Sequence, residues 1–250
     1  LTALGWGIWV QEVNIPGFDF LLGFPAFAIT FSVIAAAGVT NAFNLIDGLN
    51  GLAGLFSLCA ALALSIISAK LELYNFQATY WMVIMATAGF LIFNFPFGKL
   101  FLGDAGAYLL GHTLVWTSIA LLKAAHEISP FAILLLFFWP IADTLLAIWR
   151  RAQSGQRADA PDRLHFHQLV MRYIEIKWVG RGRRKLVNPL ATLIIVPLFA
   201  IPQVAGVVFM TDDAMAKISV FVFGVLFVAT YVFGVRSARH VQSRRLSTRC

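Results

Sequence analysis

Charge is scarce in this 250-residue sequence: Asp, Glu, Lys and Arg together make up 12% of it, against about 25% in an average soluble domain. With 60% apolar residues and a mean hydropathy of +0.80, the one or two soluble domains that length alone suggests are excluded. Cysteine is nearly absent. Cys59 lies in an apolar run and Cys250 is the last residue, so no disulfide framework or cysteine metal cluster can form. There is no long internal repeat, and no succession of short alternating segments of the kind that builds a membrane β-barrel. Acidic residues are outnumbered, twelve against nineteen Lys and Arg, for a net charge of +7. The basic residues are clustered, so membrane topology accounts for them better than a nucleic-acid partner does.

What the sequence does have is long apolar runs. A spanning helix needs about 20 mostly apolar residues. Seven segments qualify: 24–40, 51–69, 78–95, 105–122, 130–149, 189–209 and 217–235. In hydrocarbon each backbone N–H and C=O must be satisfied within its own segment, so these are expected to be helices. The expected fold is all-α, a polytopic helical bundle forming one integral membrane domain over 1–250, with a basic loop at 150–188 and a tail at 236–250. The chain opens on Leu1 inside an apolar stretch, and residues 1–10 are expected to be the end of a further span that begins upstream.

Alternation of the spans sorts the loops onto two sides. Segments 41–50, 96–104, 150–188 and the tail share one side and hold sixteen of the nineteen Lys and Arg. Lys70, Lys123 and Lys217 fall on the other. The positive-inside rule makes the crowded side cytoplasmic. Asp47, Asp104 and Asp143 adjoin apolar helices on that side, where carboxylates tend to be either solvated helix ends or functional groups.

Three constellations carry possible chemistry. The first is Asn41-Ala42-Phe43-Asn44-Leu45-Ile46-Asp47-Gly48-Leu49-Asn50-Gly51-Leu52-Ala53-Gly54. Its Asn41, Asn44, Asp47 and Asn50 recur every three residues, a spacing that brings neighbours together on a helix. Gly48, Gly51 and Gly54 share that spacing, which suits close helix packing. Packing explains the glycines but not the four polar side chains, which point to a ligand site. The second runs from Phe95 to Tyr108 and contains Gly103-Asp104-Ala105-Gly106. Asp104 is placed either to cap a helix beginning near Ala105 or to hold a hard divalent cation beside a substrate phosphate. The third is Pro161-Asp162-Arg163-Leu164-His165-Phe166-His167-Gln168 in the basic loop. No further ligand has zinc spacing, so phosphate or nucleotide binding, with Arg163 as a bidentate partner, is the preferred reading over an ordinary loop. Asp143 with Arg150 and Arg151 reads as an ion pair at the membrane edge, His112 as a packed helix residue, and His126 and His240 as solvent-facing.

These three motifs, in this order and spacing, resemble the polyprenyl-phosphate N-acetylhexosamine-1-phosphate transferases, and the histidine motif is closer to the GlcNAc-1-phosphate branch than to the peptidoglycan branch. The resemblance implies transfer of a sugar 1-phosphate from a UDP-N-acetylhexosamine to a polyprenyl (undecaprenyl) phosphate lipid at the cytoplasmic membrane, releasing UMP. It implies Mg²⁺ or Mn²⁺ as cofactor and the start of a cell-surface glycan such as an O-antigen. Carried over, Asp47, Asp104, His165 and His167 are expected to be catalytic, Asn44 and Asp104 to hold the metal, and Asn41, Asn50, Arg163 and Gln168 to bind substrate. Asn50 stands where many bacterial members have a second aspartate, and Gln168 where they have a further histidine. The family's Asp-Asp motif is expected upstream of Leu1, so the 250 residues alone are expected to be inactive and a longer parent active. A homodimer is left open by the sequence. Two rival readings are a polytopic transporter and a non-catalytic subunit of a glycan assembly complex. A transporter usually places its polar residues near the midplane at broken, repeated helices, whereas here they gather at one interface.

Overall fold

The computed structural model describes residues 7–153, 165–180 and 183–247, with side chains described as far as Gly234. Among the described residues there is no strand. The helices, in chain order, are α1 (Pro16–Leu22), α2 (Pro25–Ile46), α3 (Leu52–Lys70), α4 (Tyr74–Asn94), α5 (Gly103–Ala124), α6 (Pro130–Leu136), α7 (Phe138–Gln153), α8 (Phe166–Ile174), α9 (Arg184–Val208) and α10 (Asp213–Ser247). A π-helical turn, Glu175–Val179, continues α8. Among the described residues, six helices (α2, α3, α4, α5, α9 and the first part of α10) are long and apolar enough to cross a membrane, and α6 with α7 form a bent pair that counts as a seventh if the two halves are one span. The chain is a multi-pass membrane protein.

The centre of the bundle is α3, which packs against α4, α5 and α9. Its sequence explains that position. Ala53, Gly54, Ser57, Ala60, Ala61, Ala63, Ser65 and Ser68 are all buried, and small residues let neighbouring helices approach without a hydrophobic drive from water. A methyl group at Gly54 would stand 2.8 Å from Leu91 of α4. The hydroxyl of Ser57 is satisfied within its own helix by the Ala53 carbonyl at 2.8 Å. Around α3, the aromatic rings of Phe43, Phe56, Phe199, Trp139 and Phe137 interlock edge to face or at a tilt. They tie α2, α7 and α9 to the centre.

The segment 130–149, expected as one straight span, is broken. The axis of α7 turns 80° away from that of α6 at Phe137. Pro140 supplies the reason. It has no N–H to return to the carbonyl of Leu136, four residues back, and that carbonyl accepts instead from Gln203 Nε2 of α9 at 3.1 Å. A freed backbone group in a membrane needs such a partner. Close approach of α9 is permitted by Gly206, where a methyl would come within 2.6 Å of the Ala132 carbonyl oxygen. The bent pair is fixed at both ends. Its start is fastened beside α10, where Ser129 donates to Met210 O at 2.8 Å and to Asp213 at 2.6 Å. Its other half carries Asp143, which meets the third motif at His165 and Phe166.

The basic segment 150–188 is partly helical: it contains the end of α7, all of α8 and the first turn of α9. The remaining boundaries differ from expectation by a few residues, with one consequence for the site. Helix α2 runs on to Ile46, so Asn41 and Asn44 are helical rather than part of a connecting loop.

Candidate active site

The site is assembled where α2 ends. Asp47 leaves the helical conformation (φ −76°, ψ 52°), and Gly51, at φ +78°, turns the chain into α3. That left-handed conformation favours glycine. Asn44, one turn before Asp47, donates from Nδ2 to Asp104 Oδ1 at 2.7 Å, linking the first motif to the second across 60 residues of chain. Of the two readings of Asp104, a cap on a helix beginning near Ala105 or a cation ligand, the first is not what the structure has. Instead the helix begins at Gly103, no side-chain cap is made, and Asp104 lies exposed in the first turn. There the positive end of the helix dipole favours its charge.

Asp47 stands beside it. Burial, the larger cause, and the nearby Asp104 charge raise its pKa above the usual carboxylate range, against the opposing pull of the Gly103 backbone N–H. Two carboxylates and an asparagine amide therefore converge at one helix N-terminus. Among the described residues, no three His, Cys, Asp or Glu side chains gather as a dedicated metal cage. The donors present are hard oxygens, too few to enclose an ion. That suits Mg²⁺, which is commonly held by one or two carboxylates plus substrate phosphates.

The third motif docks onto the first. His167 is 2% exposed, and its ring lies so close to Gly48 that a methyl there would stand 2.3 Å from Nε2. Burial is the main cause of its pKa falling to about 4, with the His165 charge acting in the same direction and the Asp143 charge opposing. The His167 imidazole is accordingly neutral at physiological pH. Its Nδ1 is buried without a hydrogen-bond partner, as is Gln168 Oε1. The His165 and His167 rings stack with centroids 5.9 Å apart and planes 12° from parallel. Asp143, expected at an ion pair with Arg150 and Arg151, is itself 2% exposed and takes both His165 Nδ1 and the Phe166 N–H at 3.0 Å.

The structure thus brings together Asn44, Asp47, Asp104 and His167, with His165 beside them. Asn41 lies exposed one turn before Asn44. Asn50 faces elsewhere: its Nδ2 donates to Pro96 O at 2.9 Å, its N–H to Asn188 Oδ1 at 2.7 Å, and its carbonyl accepts from Thr192 at 2.8 Å. It packs against Gly98, which holds φ +60°. Arg163 lies outside the described residues. Sequence reasoning did not single out Asn94, which is 5% exposed, accepts from Gly51 N–H and donates to Leu100 O at 2.6 Å. It clamps the first motif to the second. Its signal was available: an amide at the end of an apolar helix is as costly to bury unpaired as other polar groups.

The model of glycosyl transferase family 4 matches residues 1–122. A probable undecaprenyl-phosphate N-acetylglucosaminyl 1-phosphate transferase of Bacillus subtilis is 34% identical over 155 residues, 62% of this chain and 43% of the relative. The undecaprenyl-phosphate alpha-N-acetylglucosaminyl 1-phosphate transferase of Escherichia coli K12 is 34% identical over 180 residues, 69% of this chain and 46% of the relative. The decaprenyl-phosphate N-acetylglucosaminephosphotransferase of Mycobacterium tuberculosis is 28% identical over 207 residues, 75% of this chain and 50% of the relative. The chain spans about half the length of these curated relatives. The family match runs through both the asparagine–aspartate turn and the glycine-flanked aspartate, and the relatives point the same way: residues 1–122 are similar to glycosyl transferase family 4.

Proposed function

We propose that this protein transfers an N-acetylhexosamine 1-phosphate, GlcNAc by the names of its relatives, from a UDP-sugar to a polyprenyl phosphate at the cytoplasmic face of the membrane. In this reaction an oxygen of the lipid phosphate bonds to the sugar-bearing phosphorus of the donor. The bond from that phosphorus to the bridging oxygen breaks, and UMP leaves. The product is a diphosphate-linked lipid sugar, the first intermediate of a cell-surface glycan. The observation that carries the proposal is the meeting of three separate motifs at one face, through the Asn44–Asp104 hydrogen bond and the His167–Gly48 contact.

Phosphoryl transfer of this kind is mostly positioning and charge neutralisation. Asp104 and Asn44 would hold a divalent cation, which supplies neutralisation of the donor diphosphate when bound. Asp47 sits beside them, close enough to Asp104 for the two charges to interact. His167, neutral, offers the donor a hydrogen bond rather than a charge, and the buried Nδ1 and the Gln168 Oε1 are polar atoms without partners in the protein. The sidedness follows from the sixteen of nineteen Lys and Arg that share the motif side, read by the positive-inside rule. A soluble donor and a lipid acceptor can meet only at such an interface.

The test is release of UMP from UDP-GlcNAc by membranes of cells expressing the longer parent that contains these 250 residues, with undecaprenyl phosphate and Mg²⁺ supplied. Release that requires both additions supports the proposal. Release independent of the lipid, or none above membranes lacking the protein, contradicts it.

A further inference from the structure

Asp143 has no part in the chemistry assigned so far, yet it is among the most buried charged residues described, at 2% exposure. A buried carboxylate is costly unless its oxygens are satisfied, and both oxygens here are spent on the histidine motif. Oδ1 accepts the Phe166 N–H and Oδ2 meets His165 Nδ1, each at 3.0 Å. The first of these bonds caps α8. His165 occupies the N-cap position but its own side chain makes no capping bond, so a carboxylate from α7 takes that place, where the helix dipole favours it. The second bond sets the imidazole. A carboxylate only accepts, so the shared hydrogen resides on Nδ1, and Nε2 is the ring nitrogen left for a ligand.

We infer that Asp143 is a positioning residue, which fixes the tautomer and rotation of His165 at the start of α8 so that Nε2 serves the phosphates of the donor. This rests on the transferase reading. It parallels the way a carboxylate behind a metal-bound or catalytic imidazole orients the ring it does not itself replace. Asp143 joins α7, just past the bend at Phe137, to the motif that docks on Gly48. The bent helix therefore has a use: it delivers this carboxylate to the rear of the site.

The experiment compares Asp143→Asn, His165→Ala and the double variant, in membranes, by UMP release per folded protein. Asn keeps the size and can still accept from Phe166, but turns an NH₂ toward the ring and so demands the other tautomer. The expected loss in Asp143→Asn is about 10–100-fold, the range seen when such supporting partners are removed. In the double variant turnover is expected to match His165→Ala alone, because a residue acting only through another adds nothing once that one is gone. Losses that multiply, or an Asp143→Asn protein with parental turnover, would overturn the inference. A second readout does not depend on turnover. In ¹H–¹⁵N spectra of ¹⁵N-histidine protein, with the His165 signal assigned by its loss in His165→Ala, the parent should show Nδ1 protonated and Asp143→Asn should show Nε2 protonated. An unprotonated Nδ1 in the parent overturns the inference by itself. A parent that releases no UMP defeats the transferase reading instead, and the spectra still decide the role of Asp143.

Discussion

Gly48→Ala puts the docking of the histidine motif to a quantitative test. The added Cβ would lie 2.3 Å from His167 Nε2, 2.9 Å from Cδ2 and 3.2 Å from Cε1. Carbon contacts settle near 3.5–4.0 Å, so ring or turn must retreat by about 1 Å. Gly48 is not among the residues with positive φ, so the effect is steric and carries no backbone strain. The ring cannot yield freely, since His167, in the first turn of α8, is 2% exposed. Overpacking of this kind costs about 1–3 kcal/mol. A displacement of about 1 Å at a catalytic constellation costs on the order of 100-fold in rate. Turnover by UMP release is therefore expected to fall on the order of 100-fold in Gly48→Ala, with a lowered melting temperature in detergent. Gly89→Ala in α4 is the control: nothing lies within 4 Å of its added methyl, and removing a helix glycine should stabilise by up to about 1 kcal/mol. Turnover in Gly48→Ala within about threefold of that in Gly89→Ala would refute the reasoning.

Three further outcomes follow from the same structure. Burial holds the His167 pKa at about 4 against about 6.5 unfolded. Its contribution is therefore fully present above pH 6.5 and declines as pH falls, because the unfolded chain takes the proton first. The loss should reach about 2 kcal/mol by pH 5, read as a larger drop in thermal stability from pH 7.5 to 5.0 in the parent than in His167→Gln; equal drops would contradict it. Asn94→Ala strands both the Gly51 N–H and the Leu100 carbonyl, and should cost about 2–4 kcal/mol in denaturation experiments. Gln203→Leu leaves the Leu136 carbonyl at the helix bend unpaired, with an expected loss of about 1–3 kcal/mol. An unchanged melting temperature in that variant would mean that another group takes over.

The apolar runs made the helical bundle legible, because a segment long enough to cross hydrocarbon has few other ways to satisfy its backbone. The convergence of the first two motifs was legible too, from shared sidedness alone. The bend at Phe137 was not. Pro189, Pro197 and Pro202 all sit inside α9 without ending it, so a proline does not announce a break. What distinguishes Pro140 is an acceptor satisfied from 67 residues away by Gln203, a long-range fact that local windows miss. Asp143 was misjudged for a related reason: Arg150 and Arg151 are near in sequence, whereas its partners His165 and Phe166 come back from beyond a loop. The period of three in Asn41, Asn44, Asp47 and Asn50 also ends sooner than the sequence suggests. The helix stops at Ile46, so Asn50 swings onto the Pro96–Gly98 turn and α9 rather than onto the ligand side.

The central claim, that Asn44 and Asp104 present a divalent cation to a sugar-nucleotide diphosphate, is tested most directly by electron–nuclear double resonance on Mn²⁺ bound with UDP-GlcNAc. A ³¹P coupling from the donor is predicted in the parent and should be abolished in Asp104→Ala. A coupling that survives the loss of Asp104, or that never appears in the parent, would contradict the account.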